Sequence, residues 1–366
     1  MVAPDNILEG LRGRKPAALA RAISLVENGS PGSDALLAGI HPLVGGGRRI
    51  GVTGPPGGGK STLIERLAAH YRKAGLTVGI IAIDPSSPFT GGALLGDRIR
   101  MERAALDPGV FIRSMASRGS LGGMATTTGE VADVMDAYGF DRILIETVGV
   151  GQSELDIALV SDTTVVVLVP ESGDGIQVMK AGLMEIADVY VVNKADRPGA
   201  DRLRQELEIA IGLKTGQAFR HVPAHHGVGG TDARTQGRTG EGSEPVRPSV
   251  GASVRGDGQG GAVGPWEQPV LATVAVRDEG VAELAGALDR HFADLSRDGG
   301  LAARRARQLE RRTHDVLDRA LRRWAWSDAG PREALEAALA DVAAGRRSPY
   351  EAAAGVVERI RRSEGR

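Results

Sequence analysis

The sequence contains no cysteine. That excludes a disulfide framework, a thiolate metal site and a cysteine nucleophile, and it suits a reducing compartment. A dominant charge is missing as well: 45 Lys and Arg stand against 46 Asp and Glu, a formal net charge of -1. Nothing global draws the chain to nucleic acid, so any anion site must be local. No apolar run approaches the roughly 20 residues that cross a bilayer. The first thirty residues carry charges throughout instead of a signal-peptide apolar core. The expectation is a cytoplasmic protein without membrane or nucleic-acid partners. What is present is an ordinary globular composition, 42% hydrophobic and 25% charged over 366 residues. That is enough for one large domain with smaller helical additions.

Three regions follow from the patterning. Residues 1–45 read as a helical extension, with Leu19, Ile23 and Val26 at helical spacing, Pro16 near a start and Gly29 at a stop. From 46 to 295, short apolar runs alternate with helical patterns; Ile143 to Ile145, Thr163 to Val169 and Val189 to Val192 are examples. Such continuous runs mark strands buried on both faces. The fold class is therefore α/β, a mostly parallel sheet flanked by helices, with function at the carboxyl ends of the strands. Residues 215–264 interrupt this region with Gly, Arg, Ser, Pro and Thr and only small apolar side chains. They cannot offset an ordering cost of roughly 1–2 kcal/mol per residue and read as a disordered insertion. The strand-like Pro269 to Val276 then resumes the fold, and a helix follows from about Val281 to Phe292.

Residues 296–366 read as helical. Leu309, Val316, Leu317, Ala320, Leu321 and Trp324 form one apolar stripe. Pro331 and Pro349 open two more helices, and Ser348 with Glu351 has the spacing of a capping box. The stripe needs a surface, either the chain's own domain or a second copy.

The strongest motif is Gly54-Pro55-Pro56-Gly57-Gly58-Gly59-Lys60-Ser61, a G-x-x-x-x-G-K-[ST] loop between the strand Ile50 to Thr53 and the helical run from Thr62 to Ala74. Glycines let the backbone wrap phosphates, amide groups at a helix start face the anion, Lys60 supplies charge and Ser61 a Mg2+ ligand. A chance Gly-rich turn is the competing reading, and the strand-loop-helix order argues against it. The fold class narrows to a P-loop NTPase.

Asn193-Lys194-Ala195-Asp196 follows a buried strand. An Asn can bond the O6/N7 edge of guanine, and a carboxylate accepts from N1–H and the 2-amino group, a pairing adenine cannot offer. Unpaired buried partners cost about 1–3 kcal/mol each, which favours GTP over ATP. Glu146-Thr147-Val148-Gly149 follows the strand Ile143 to Ile145, where GTPases place a metal-side acid and a Gly amide for the γ-phosphate. An acid that merely ends a strand is the alternative for Glu146. Asp84 ends the strand Val78 to Ile83, and Asp97 lies further on. Either could bind Mg2+ or orient water, or simply cap a turn.

Beyond the loop, Asp84-Pro85-Ser86-Ser87-Pro88-Phe89-Thr90-Gly91-Gly92, Gly96-Asp97-Arg98-Ile99-Arg100-Met101, Glu146 through Glu154 and Asn193 through Asp196 occur in order. In these segments the chain resembles the MeaB/ArgK family of methylmalonyl-CoA mutase-associated GTPases, which includes the methylmalonic aciduria type A protein. The resemblance implies a homodimeric GTPase, slow alone and responsive to a partner. It implies a chaperone that gates cofactor loading and protects or reactivates an adenosylcobalamin-dependent methylmalonyl-CoA mutase or related acyl-CoA mutase. Cobalamin adenosyltransferase is raised as a further partner. By position, Lys60 and Ser61 hold phosphate and Mg2+, and Asp84, Asp97 and Glu146 surround the metal. Gly54 through Thr62 with Gly149 cradle phosphate, and Asn193, Lys194, Asp196, Val274 and Ala275 contact the base. Gln152 or Asp84 positions the attacking water, and Gln177 with Lys180 belongs to a third switch, although those two could also be a solvated helix face. The resemblance assigns residues 296–366 to a dimerisation arm.

Other functions fit single features. His221, His225 and His226 suggest nickel delivery, although the lack of cysteine counts against it. A transport-linked ATPase or kinase, or a scaffold that binds nucleotide without hydrolysing it, would share the phosphate loop.

Overall fold

The computed structural model describes residues 4–85, 101–117, 123–147, 153–170, 182–214, 266–326 and 329–364. Three helices lead, α1 (Pro4–Arg12), α2 (Pro16–Glu27) and α3 (Ser33–Ile40). Pro16 opens α2 and Gly29, at φ 55°, follows its end, as the sequence suggests. The alternating region then runs β1 (Arg48–Thr53), α4 (Lys60–Lys73), β2 (Val78–Pro85), β3 (Val110–Ser117), α5 (Gly123–Tyr138), β4 (Arg142–Glu146), β5 (Thr163–Leu168), β6 (Val189–Asn193), α6 (Ala200–Lys214), β7 (Val270–Thr273) and α7 (Val281–Arg297). Three further helices close the chain, α8 (Gly300–Ala325), α9 (Ala329–Ala343) and α10 (Pro349–Glu364). The insertion expected at 215–264 lies outside the described residues.

The seven strands form one sheet in the order β3-β2-β4-β1-β5-β6-β7, every neighbouring pair parallel. Alternate residues of each strand serve opposite cores. Val52, Leu144, Val165 and Val191 pack with Leu63, Leu67 and Leu284 of α4 and α7. On the other face Ile81, Ile143 and Ile145 meet Ile23, Leu36 and Val131 of α2, α3 and α5, and Val166 and Tyr190 meet Leu203 and Leu207 of α6. A strand buried on both sides has no polar alternation, which is why the apolar runs were continuous. β1 sits centrally with strand neighbours on both edges, so the loop after it leaves from the middle of the sheet.

Among the described residues the apolar stripe on α8 is largely exposed, although Leu309 also lines the cavity beneath the helix. Leu309, Val316, Leu317, Leu321 and Trp324 are exposed. The helix is seated instead by its polar face, where residues recur every three or four positions. Arg304 pairs with Asp188 and Arg305 with Asp162, both at 2.8 Å, and Arg312 meets Asp133 at 2.7 Å. Asp315 accepts from Thr126 at 3.0 Å, and Arg319 pairs with Glu130. Three of these partners, Thr126, Glu130 and Asp133, lie along α5. At the far end the Ser348 capping box forms: Ser348 N–H donates to Glu351 at 2.8 Å, and Glu351 N–H donates to the Ser348 hydroxyl at 3.2 Å.

Candidate nucleotide-binding site

The phosphate loop lies where the sheet's topology directs a ligand, at the carboxyl end of central β1 and before α4. Two of its glycines are required sterically. Gly54 has φ 134°, and a Cβ there would lie 2.1 Å from the Val167 carbonyl oxygen. Gly59 has φ 82°, and its Cβ would lie 2.4 Å from Asn193 Nδ2. The start of α4 carries no side-chain cap, so its amides remain suited to an anion.

Lys60, nearly buried, folds back along its own loop and donates from Nζ to the carbonyls of Gly54 at 2.7 Å and Pro55 at 3.0 Å. Ser61 Oγ donates to Glu146 Oε1 at 2.7 Å. Glu146 ends β4 beside β1, with Val52 and Glu146 in register, so strand pairing brings these two oxygen groups together. An alcohol next to a carboxylate is a donor set that suits a hard divalent cation. One residue further along the same two strands, the buried Thr147 hydroxyl donates to that of Thr53 at 2.9 Å. Glu154, from the same sequence segment as Glu146, has its pKa raised by burial, with Lys60 pulling the other way.

Asn193 ends β6 and is almost wholly buried. Its Nδ2 donates to the Gly58 carbonyl at 2.8 Å, while its Oδ1 accepts from the Thr273 hydroxyl at 3.0 Å and the Ala275 amide at 3.2 Å. In this structure it thus ties the phosphate loop to the loop after β7. Val274 N–H donates to Glu279 at 3.1 Å. The backbone of Val274 and Ala275 is expected on the base; in this structure their amides bond the Glu279 carbonyl and Asn193 Oδ1. Lys194 takes a left-handed conformation at φ 56°, an uncommon backbone state for a non-glycine residue. Asp196 is exposed and is met by Arg277 at 3.3 Å.

Asp84 stands at the carboxyl end of β2, in register with Ala116. Asp97, Gly149, Gln152, Gln177, Lys180, His221, His225 and His226 lie outside the described residues. Among the described residues no group of three or more His, Cys, Asp or Glu is placed to hold a metal, and no helix is long and apolar enough to cross a membrane. A cavity of about 300 Å3 lies under α8, lined by Thr126, Asp133, Asp162, Arg305 and Gln308 and by none of the loop residues. Cavity size alone would point away from the phosphate loop. Sequence reasoning missed Arg277 and the structural duty of Asn193, since no motif signals either.

The family model for the methylmalonyl-CoA mutase-associated GTPase MeaB matches residues 19–329. The chain belongs to the MeaB family of GTPases. A Mycobacterium tuberculosis protein named a probable GTPase is 36% identical over 361 residues, covering 97% of this chain and 94% of that one. The Escherichia coli GTPase ArgK is 44% identical over 190 residues, 51% of this chain and 57% of its own. The mouse mitochondrial methylmalonic aciduria type A homolog is 39% identical over 206 residues, 52% of this chain and 50% of its own. A crystal structure described as a LAO/AO transport system kinase superimposes with a TM-score of 0.62 at 25% identity, covering 98% of this chain and 97% of that one. A MeaB-family P-loop fold gives the geometry its ligand class, a guanine nucleotide.

Proposed function

We propose that this MeaB-family GTPase is a GTP-hydrolysing chaperone for an adenosylcobalamin-dependent methylmalonyl-CoA mutase or a related acyl-CoA mutase. It gates cofactor loading and protects or reactivates the enzyme. The observation that carries the nucleotide chemistry is the convergence of Lys60, Ser61, Glu146 and Asn193 on one loop at the carboxyl ends of β1, β4 and β6. The client is supported by the family's description and by the mouse relative's name.

On this reading Lys60 leaves its two carbonyl partners for the β- and γ-phosphate oxygens, and the α4 amides hold the phosphate chain. Asn193 and Asp196 take the base. Ser61 and Glu146, with Asp84 and Asp97, hold Mg2+, whose role is to neutralise charge on the phosphates. Gln152 or Asp84 orients the water for in-line attack, with no covalent intermediate. Turnover alone is slow, and the partner moves the segment from Val148 to Glu154 into place. The exposed stripe of α8 joins two copies into a homodimer, with residues 296–366 as the dimer arm and 46–295 as the GTPase domain.

Single-turnover GTP and ATP hydrolysis, each with and without a cobalamin-dependent acyl-CoA mutase, tests the proposal. GTP hydrolysis should accelerate with the mutase. Equal use of ATP and GTP would revive a transport-linked ATPase or kinase.

A further inference from the structure

The loop after β7 is a closed, fastened unit. The Val274 amide donates to the Glu279 carbonyl at 3.1 Å, and the Glu279 amide returns to the Val274 carbonyl at 3.4 Å. One 3-10 turn, Ala275–Arg277, lies between them, with Asp278 left-handed at φ 64°. The chain leaves through Gly280 at φ 75°, where a Cβ would lie 2.2 Å from the Ala272 carbonyl oxygen. Arg66 of α4 donates to the Val276 carbonyl at 3.3 Å, and Ala275 is held by Asn193. These bonds tie the loop to α4 and to the end of β6.

On this frame Arg277 is gripped twice by one carboxylate. Its Nε donates to Glu279 Oε1 at 2.8 Å and its Nη2 to Oε2 at 3.2 Å, fixing the guanidinium plane. The remaining Nη1 reaches Asp196 Oδ2 at 3.3 Å. An ionised carboxylate accepts in about four directions, so one contact leaves the others for a ligand. To accept from both N1–H and a 2-amino group, Asp196 must present its two oxygens in one set plane, yet its side chain is partly exposed. An isolated exposed ion pair is weak partly because two flexible side chains must be ordered. Here Glu279 has already ordered Arg277.

We infer that Arg277 is a positioning residue for base selection: held by Glu279, it sets the plane of the Asp196 carboxylate and so strengthens discrimination for a purine bearing both N1–H and a 2-amino group. The inference rests on Asp196 being the base acceptor.

The test is affinity of the full chain for GDP and for IDP, which lacks the 2-amino group, at low and high salt. R277A should lower the GDP-to-IDP preference about threefold at low salt and less at high salt, as screening of an exposed pair requires. E279Q should give part of that loss, and R277A should add nothing to D196A. R277Q replaces R277A if the shorter side chain disturbs folding. If D196A collapses the preference while R277A leaves it unchanged, or weakens both nucleotides equally, the positioning role is overturned and the base reading stands. If D196A itself leaves the preference unchanged, the base reading fails and Arg277 falls with it.

Discussion

Asn193 donates to the Gly58 carbonyl across 2.8 Å, so the end of β6 and the phosphate loop form one hydrogen-bonded unit. N193A would strand the Gly58 carbonyl, the Thr273 hydroxyl and the Ala275 amide, each at about 1–3 kcal/mol if left unpaired. Calorimetry should show GDP and inorganic pyrophosphate both weakened tenfold or more on this scale. A loss confined to GDP would mean that Asn193 serves the base alone.

Lys60 donates to two neutral carbonyls, those of Gly54 and Pro55, in a loop built to receive phosphate. K60A should lower single-turnover GTP hydrolysis by about a hundredfold or more, as expected when a group aimed at developing charge is removed. The melting temperature should move by only a few degrees, in line with the modest net value of such hydrogen bonds. Persistent hydrolysis in the presence of the mutase would remove Lys60 from the chemistry.

The ionic seat of α8 has a pH signature. Burial alone would raise the Asp188 pKa, but hydrogen bonds and charge from Arg304 and His291 prevail and bring it to about 2. A depressed folded-state pKa gives stability that is complete above the unfolded value near 4 and is lost as pH falls toward 2. The whole shift corresponds to roughly 2 kcal/mol at pH 7, so R304A should remove a large part of that there and less at pH 2.5, read by urea unfolding at both values. An equal cost at both would show that Arg304 acts through packing alone.

The exposed stripe of α8 predicts an assembly defect separable from nucleotide binding. L317E with L321E puts two charges on exposed apolar positions, so folding and GDP affinity should be preserved. Light scattering should report a dimer for the parent chain and a monomer for this variant. A dimer that survives both changes would place the interface elsewhere.

Deleting residues 215–264 should leave GTP affinity within about twofold, because contacts on either side are anchored independently. Lys214 donates to the Met184 carbonyl at 2.6 Å, Gln268 to that of Ala187 at 2.6 Å and Trp266 to that of Asp188 at 2.9 Å. Both flanks thus reach the same short segment before β6. A tenfold loss would show that the insertion helps build the site.

The central strands were legible because burial on both faces leaves an unbroken apolar run, as in Thr163 to Leu168. β3 and α5 were harder. Arg113 and Ser114 interrupt the apolar pattern of β3, while α5 turns Glu130, Asp133 and Asp136 inward to partners far along the chain. The strand expected from Pro269 to Val276 stops at Thr273, since the chain must bend to close the Val274–Glu279 bridge. Lys60, Ser61 and Asn193 were visible as motif letters. The link from Asn193 to Gly58 was not, because it spans 135 positions and exists only once β6 and β1 share a sheet. The stripe on α8 was read correctly as apolar, but the arginines on the opposite face proved to be the attachment.

β7 reaches the sheet late. Its Thr273 and the following Ala275 complete the bonds of Asn193, yet they are synthesised some 80 residues after it. A nascent chain that has already made the phosphate loop, β6 and Asp196 still lacks the groups that fix Asn193. During translation Asn193 therefore lacks two of its three partners until the last strand and the residues just after it have cleared the ribosome.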